Sequence, residues 1–87
     1  MLQELIGQKV VLDLRSPYVC LGTLSRLDEL HLELRNADLH DLRDTQSTRE
    51  IYVAESHATG IKRNRKRVLL VRLEIVAIAL MADLVDE

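Results

Sequence analysis

Val10-Val11-Leu12-Asp13-Leu14-Arg15-Ser16-Pro17-Tyr18-Val19-Cys20-Leu21-Gly22-Thr23-Leu24-Ser25-Arg26-Leu27-Asp28-Glu29-Leu30-His31-Leu32-Glu33-Leu34 is the stretch that decides the fold. Val10, Leu12 and Leu14 alternate with Asp13 and Arg15, which is the period of a half-buried strand. Ser16-Pro17 closes a turn, and Tyr18 to Leu27 resumes as a second strand rich in apolar and β-branched residues. Gly22 stands in the middle of that strand, where a missing side chain permits a sharp bend or a close backbone approach. Leu30, Leu32 and Leu34 alternate with His31, Glu33 and Arg35 and predict a third strand. Each leucine fully buried on such a face contributes roughly 1.5–3 kcal/mol. Three strands without interruption, one of them kinked by glycine, predict a small, strongly bent barrel.

Composition sets the terms of the core. The chain has 87 residues, 47% of them hydrophobic, with two tyrosines and neither Phe nor Trp. That supports one small domain, residues 1–87, whose core is aliphatic and which gains further stability by oligomerising. A single cysteine, Cys20, excludes an intrachain disulfide, and its place in an alternating strand predicts a buried structural thiol. No basic segment followed by an apolar stretch opens the sequence, and the apolar run Val76 to Ala82 is too short to span a bilayer. A soluble cytoplasmic protein with no membrane association is expected.

Outward from the central stretch, Leu2, Leu5 and Ile6 share one helical face before Gly7, which predicts a short N-terminal helix. Asp38 to Gln46 is polar and has neither period, so a turn region is expected there. Ser47-Thr48-Arg49-Glu50 matches a capping box and Gly60 can end a helix, with Ile51, Ala54 and Ala58 on one face. A helix is the preferred reading of 47–59. The competing reading makes Ile51-Tyr52-Val53-Ala54 a strand, on its β propensity. Val68 to Met81 reads as two strands meeting at Arg72 to Glu74, both apolar on both faces. A small antiparallel barrel needs only one face of each strand buried, so the surplus apolar surface predicts pairing with a neighbouring copy.

In this order the elements resemble the Sm-like (LSm) family. Leu14 to Leu24 followed by Asp28 is similar to the first Sm motif, a turn and a glycine-bearing bent strand ending in aspartate. Val71-Arg72-Leu73-Glu74 is similar to the second motif, whose core is an apolar residue, arginine, glycine and a polar residue. The resemblance implies a mainly β fold: a strongly bent five-stranded antiparallel barrel, a short N-terminal helix and a long insert, read as helical, between strands three and four. It also implies rings built by pairing the fourth strand of one subunit with the fifth of the next, and single-stranded RNA held at the inner rim. On this sequence the rim residues would be Arg72 and His31, the latter where the family carries asparagine. The sequence departs from the pattern at these pocket positions. Asp28-Glu29-Leu30-His31-Leu32 is one residue short, which deletes the stacking position, Leu73 replaces the glycine after the arginine, and Pro17 occupies a turn position that usually holds glycine.

The residue chemistry points the same way. The imidazole of His31 offers a π-face and a donor, and the guanidinium fork of Arg72 suits phosphate or a base edge. Net charge is −2, yet Lys62-Arg63-Asn64-Arg65-Lys66-Arg67 concentrates five cations in six positions, read as a loop able to neutralise phosphates. His40, Asp41, Asp44 and His57 form the one crowded group of acid-base or ligand types, but their spacing fits no zinc motif and no nucleophile stands beside a base. The three glycines are scattered, unlike a phosphate-binding loop. No enzymatic activity, metal or cofactor is therefore expected. Two functions remain: a homo-oligomeric ring binding single-stranded RNA through His31, Arg72 and the basic run, which is preferred, or a structural module that has lost RNA binding and meets a protein partner through the 41–67 insert.

Overall fold

The computed structural model describes residues 1–44 and 47–85. A 3₁₀ turn over Leu2–Leu5 leads into β1 (Lys9–Leu14), β2 (Tyr18–Leu27) and β3 (His31–Asp41). A second 3₁₀ turn (Leu42–Asp44) precedes helix α1 (Arg49–Thr59), and β4 (Arg65–Val71) follows it. The tight turn Arg72–Glu74 then joins β4 to β5 (Ile75–Leu80). The strands form one antiparallel sheet in the order β4-β3-β2-β1-β5. The sheet is bent but not closed, because its two ends, β4 and β5, each keep an edge that no strand among the described residues pairs.

Three register irregularities, one of them in the β1–β5 pairing between Asp13 and Leu14, and one glycine accompany the bend. The β2–β3 register slips between Leu21 and Thr23 and again between Leu24 and Arg26. At the first slip Asn36 on β3 takes a left-handed backbone, φ 50°, which asparagine tolerates better than most residues. Gly22 lies against this bulge. A Cβ there would stand 3.1 Å from the Cβ of Ala37 and 3.2 Å from the carbonyl oxygen of Arg35, so the expected close approach is real.

Bending lets β1 and β2 bury both faces. Val10, Leu12, Cys20, Leu24, Leu32, Leu34, Ala37 and Leu70 form one core cluster. Val11, Val19 and Leu21 point the other way and are covered by Val53 of α1 and by Met81. Cys20 is buried as expected, and burial first, then the neighbouring Asp38, pushes its thiol up to about 12.

Several expectations need correction. The N-terminal helix is a 3₁₀ turn, although Leu2 and Leu5 pack on the core and Gly7 has the left-handed backbone anticipated, φ 88°. Leu30 belongs to the exposed β2–β3 turn rather than to β3. The supposed turn region from Asp38 is the far half of β3, which continues to Asp41 because α1 covers its polar residues. Gln46 and the adjacent Thr45 lie outside the described residues. The 47–59 segment is a helix, capped by Thr48, whose hydroxyl accepts from the Ile51 N–H at 3.2 Å, not by Ser47. Its inward face is Tyr52, Val53 and Ser56, while Ile51, Ala54 and Ala58 stay exposed. Two of the three inward residues carry hydroxyls, which hides that face from a hydropathy pattern. Finally, Arg65, Lys66 and Arg67 are not loop residues but the first half of β4.

Candidate nucleic-acid interface

The β2–β3 turn is built around Asp28. Its Oδ1 accepts the backbone N–H groups of Leu30 at 2.8 Å and His31 at 2.7 Å, and these two bonds hold the carboxyl below its ordinary value. The turn carries His31, whose Nδ1 lies 3.4 Å from the same oxygen with the ring 41% exposed. From the β4–β5 turn, Arg72 reaches across: its backbone N–H donates to the Leu30 carbonyl at 2.8 Å and its Nη1 to the Asp28 carbonyl at 2.6 Å. Two residues far apart in sequence thus reach the same turn at one end of the sheet, His31 facing the cavity it shares with Arg67 and Arg72 a separate one lined by Leu32 and Ile75. Their register neighbours explain it, since His31 pairs with Val71.

The basic run does not act as one unit. Arg67 turns back onto β3 and donates through Nε to Glu33 at 2.5 Å, and it shares a cavity of about 250 Å³ with His31 and Asp28. Arg63 instead bonds Asn36 at 2.6 Å, and Asn64 clamps Leu39 through its side-chain amide at 3.0 Å both ways. Arg65 donates to the Asn64 carbonyl at 3.1 Å, while Lys62 and Lys66 are exposed. Only Arg67 therefore joins the end of the sheet that His31 and Arg72 reach.

Sequence reading missed the most connected group at that end. Glu33 is 1% exposed and accepts from Ser25 Oγ at 2.5 Å, Arg26 Nη2 at 2.9 Å and Arg67 Nε at 2.5 Å, with Arg35 Nε at 3.4 Å. The arginine and serine donors outweigh burial and drive its carboxyl far below the ordinary range. The bulge at the second register slip lets both Ser25 and Arg26 face this one side chain. Glu33 next but one to Arg35 was the available signal; the contributions of β2 and β4 depend on pairing that no local pattern reveals.

The acid-base types singled out in the sequence do not assemble into a centre. Asp41 is bound through both oxygens to Arg43, at 3.0 and 2.8 Å, and sits at about 2. His40 stacks on Tyr52 with ring centroids 4.0 Å apart, and the Tyr52 hydroxyl donates to Asp38. His57 lies on α1 beside a separate cleft of about 540 Å³, whose walls include Val11, Val53 and Ala58 and whose polar end is the Asp13–Arg49 ion pair at 2.8 Å. Among the described residues, no three His, Cys, Asp or Glu side chains are grouped to hold a metal ion.

These features define a bent five-stranded sheet with two open edges and an arginine-rich turn end, and comparison with solved structures places it. The chain is similar to an Sm protein of Pyrococcus abyssii solved in complex with a uridine heptamer, with a TM-score of 0.62, 14% identity, and coverage of 90% of this chain and 89% of that one. No family model and no curated protein matches the sequence. The chain has an Sm-like fold. No helix among the described residues is long and apolar enough to cross a membrane.

Proposed function

We propose that this is a cytoplasmic, non-enzymatic Sm-like protein that forms a homo-oligomeric ring and binds single-stranded RNA at the turn that His31 and Arg72 both reach. The observation that carries the reading is the convergence of both residues on the Asp28 turn, with the Arg72 guanidinium fixed at 2.6 Å and the imidazole open to solvent. His31 supplies a stacking face and a donor to a base, and Arg72 faces a base edge or a phosphate. Arg67 adds a cation beside them, and Lys62, Arg63, Arg65 and Lys66 meet phosphates farther along the strand. The similar Sm protein's uridine heptamer supports the ligand class.

Ring formation rests on the two unpaired edges and on the exposed Leu69, Val71 and Val76 of β4 and β5. Pairing β4 of one copy with β5 of the next would satisfy the free backbone groups and cover those side chains. Sedimentation at micromolar concentration should give a discrete oligomer; a stable soluble monomer overturns this part.

For RNA, a salt-titrated anisotropy assay with oligo-U, oligo-A and a mixed sequence is decisive. Binding that weakens with salt and differs among the three supports the reading, because phosphate contacts set the salt slope and base contacts the preference. Absence of affinity for all three even at low salt removes it. The second reading, an interaction module using the 41–67 insert, is favoured by one feature, the largely apolar cleft beside α1. It takes over if the ring forms but RNA does not bind.

A further inference from the structure

We infer that Arg26, Arg35 and Arg67 form a second contact surface on the outer face of β2–β3–β4, a platform for the phosphates of single-stranded RNA beyond the His31–Arg72 contact. The inference rests on the RNA-binding reading above and adds residues outside both the turn contact and the basic run, since Arg26 and Arg35 belong to neither. All three guanidiniums are gripped by the same carboxylate through Nε: Arg26 at 3.4 Å, Arg35 at 3.4 Å and Arg67 at 2.5 Å from Glu33. Arg26 adds one Nη2 bond at 2.9 Å. Among the described residues the remaining terminal amino groups take no partner, and the three side chains are 69%, 57% and 52% exposed.

Charge balance separates a platform from a mere structural clamp. One buried carboxylate is neutralised by one guanidinium, so three leave a surplus of about two positive charges that arginine does not shed by deprotonating. Glu33 instead fixes the orientation of the forks, so less side-chain entropy is lost when an anion arrives. The three residues come from adjacent strands about 4.8 Å apart; Arg35 and Arg67 stand opposite each other on β3 and β4 and Arg26 stands opposite Glu33 on β2, which sets the three forks around that one carboxylate. The cavity of about 250 Å³ runs from Arg26 and Arg67 to His31 and Asp28, connecting this cluster to the turn contact. Asp28, held ionised by the two backbone N–H groups its Oδ1 accepts, offsets one of the surplus positive charges at the turn end of the cavity, so the net positive charge lies toward Arg35 and Arg67.

The test compares a short oligo-U RNA with an abasic phosphodiester strand of the same length, in anisotropy across a salt series. In the full chain, the double substitution Arg26→Gln with Arg35→Gln should weaken both probes by roughly tenfold at low salt and flatten the log–log salt slope by about 1.4, two phosphates' worth for a single strand. Arg67 is retained so that Glu33 keeps a partner, and thermal denaturation checks the fold. Arg26→Lys with Arg35→Lys should keep the slope, since it keeps the charge. Substituting His31 and Arg72 by Ala should weaken oligo-U while leaving the abasic strand far less affected. If the wild type binds both probes and the Gln pair changes neither affinity nor slope, the platform is overturned while the RNA reading stands. If the wild type binds neither probe at low salt, both fall.

Discussion

Glu33 and Asp38 are buried carboxylates on one strand, either side of the Asn36 bulge, and they titrate in opposite directions. Glu33 sits among Ser25, Arg26, Arg35 and Arg67 and is held far below its ordinary range. Asp38, packed under α1, receives the Tyr52 hydroxyl, and burial raises it although the charges of His40 and Arg65 pull the other way. Burial disfavours a charge in both places; what differs is whether donors and cations compensate. The Glu33 end is therefore committed to charge. The Asp38 end resists ionisation and serves to seat a helix on the sheet.

Neutralising each carboxylate in turn should produce the largest contrast. Glu33→Gln leaves three arginines crowded around an uncharged acceptor, and a marked fall in melting temperature at pH 7 is expected. Asp38→Asn removes a charge the fold opposes and keeps an acceptor for Tyr52, so little change is expected. Equal losses in thermal denaturation, at one fixed protein concentration because assembly contributes to stability, would dissolve the distinction.

Next comes the bulge that separates the two environments. Gly22→Val should cost about 1–3 kcal/mol, the scale of overpacking, because the new side chain meets Ala37 and the Arg35 carbonyl. Chemical denaturation measures it, and an unchanged midpoint would mean that β2 and β3 do not approach as described.

Acid stability offers a smaller effect with a sign for each group. Glu33, with its folded value depressed, contributes stability above its ordinary value of 4.5 that is lost as pH falls toward the folded one. Asp41 and Asp28 behave alike. Asp38, raised from 3.8, works in reverse: its contribution is full at low pH and disappears as pH rises through the folded value. Relative to the wild type, Asp38→Asn should therefore steepen the decline as pH falls, and Glu33→Gln should flatten it below 4.5. Shifts of the same sign in both variants would refute the assignment.

How much of this could be read in the sequence follows the range of the interactions. Alternation in 10–14 and 18–27 gave β1 and β2, and the two-sided apolar run gave β4, its turn and β5, because each depends on a short period. His31 and Arg72 were reached through resemblance, and the structure brings them to one turn. Asp38 and His40 looked like turn residues because a strand whose polar side chains lie under a helix has no hydropathy signature. The Glu33 cluster was illegible for a related reason: it needs a bulge at Ser25 and the correct partner for each of three strands. The helix at 49–59 was foreseen, but its buried face turns on a tyrosine hydroxyl and a serine.

Cys20 provides the finest probe of the contrast, because it lies opposite Leu39, next to Asp38, yet belongs to the same core as Leu32 and Leu34 on either side of Glu33. The thiolate is the reacting species in disulfide exchange. A fully buried thiol pushed up to about 12 should therefore be almost inert to an aromatic disulfide reagent at pH 8 until the sheet opens. Labelling then reports opening of β2 from β3. Asp38→Asn removes only the lesser cause of the raised value, so the native labelling rate should barely change. Glu33→Gln loosens the pairing of β3 with both neighbours and should speed labelling in proportion to its loss of stability. Labelling of the wild type as fast as in denaturant would show that Cys20 is not sealed between the two environments.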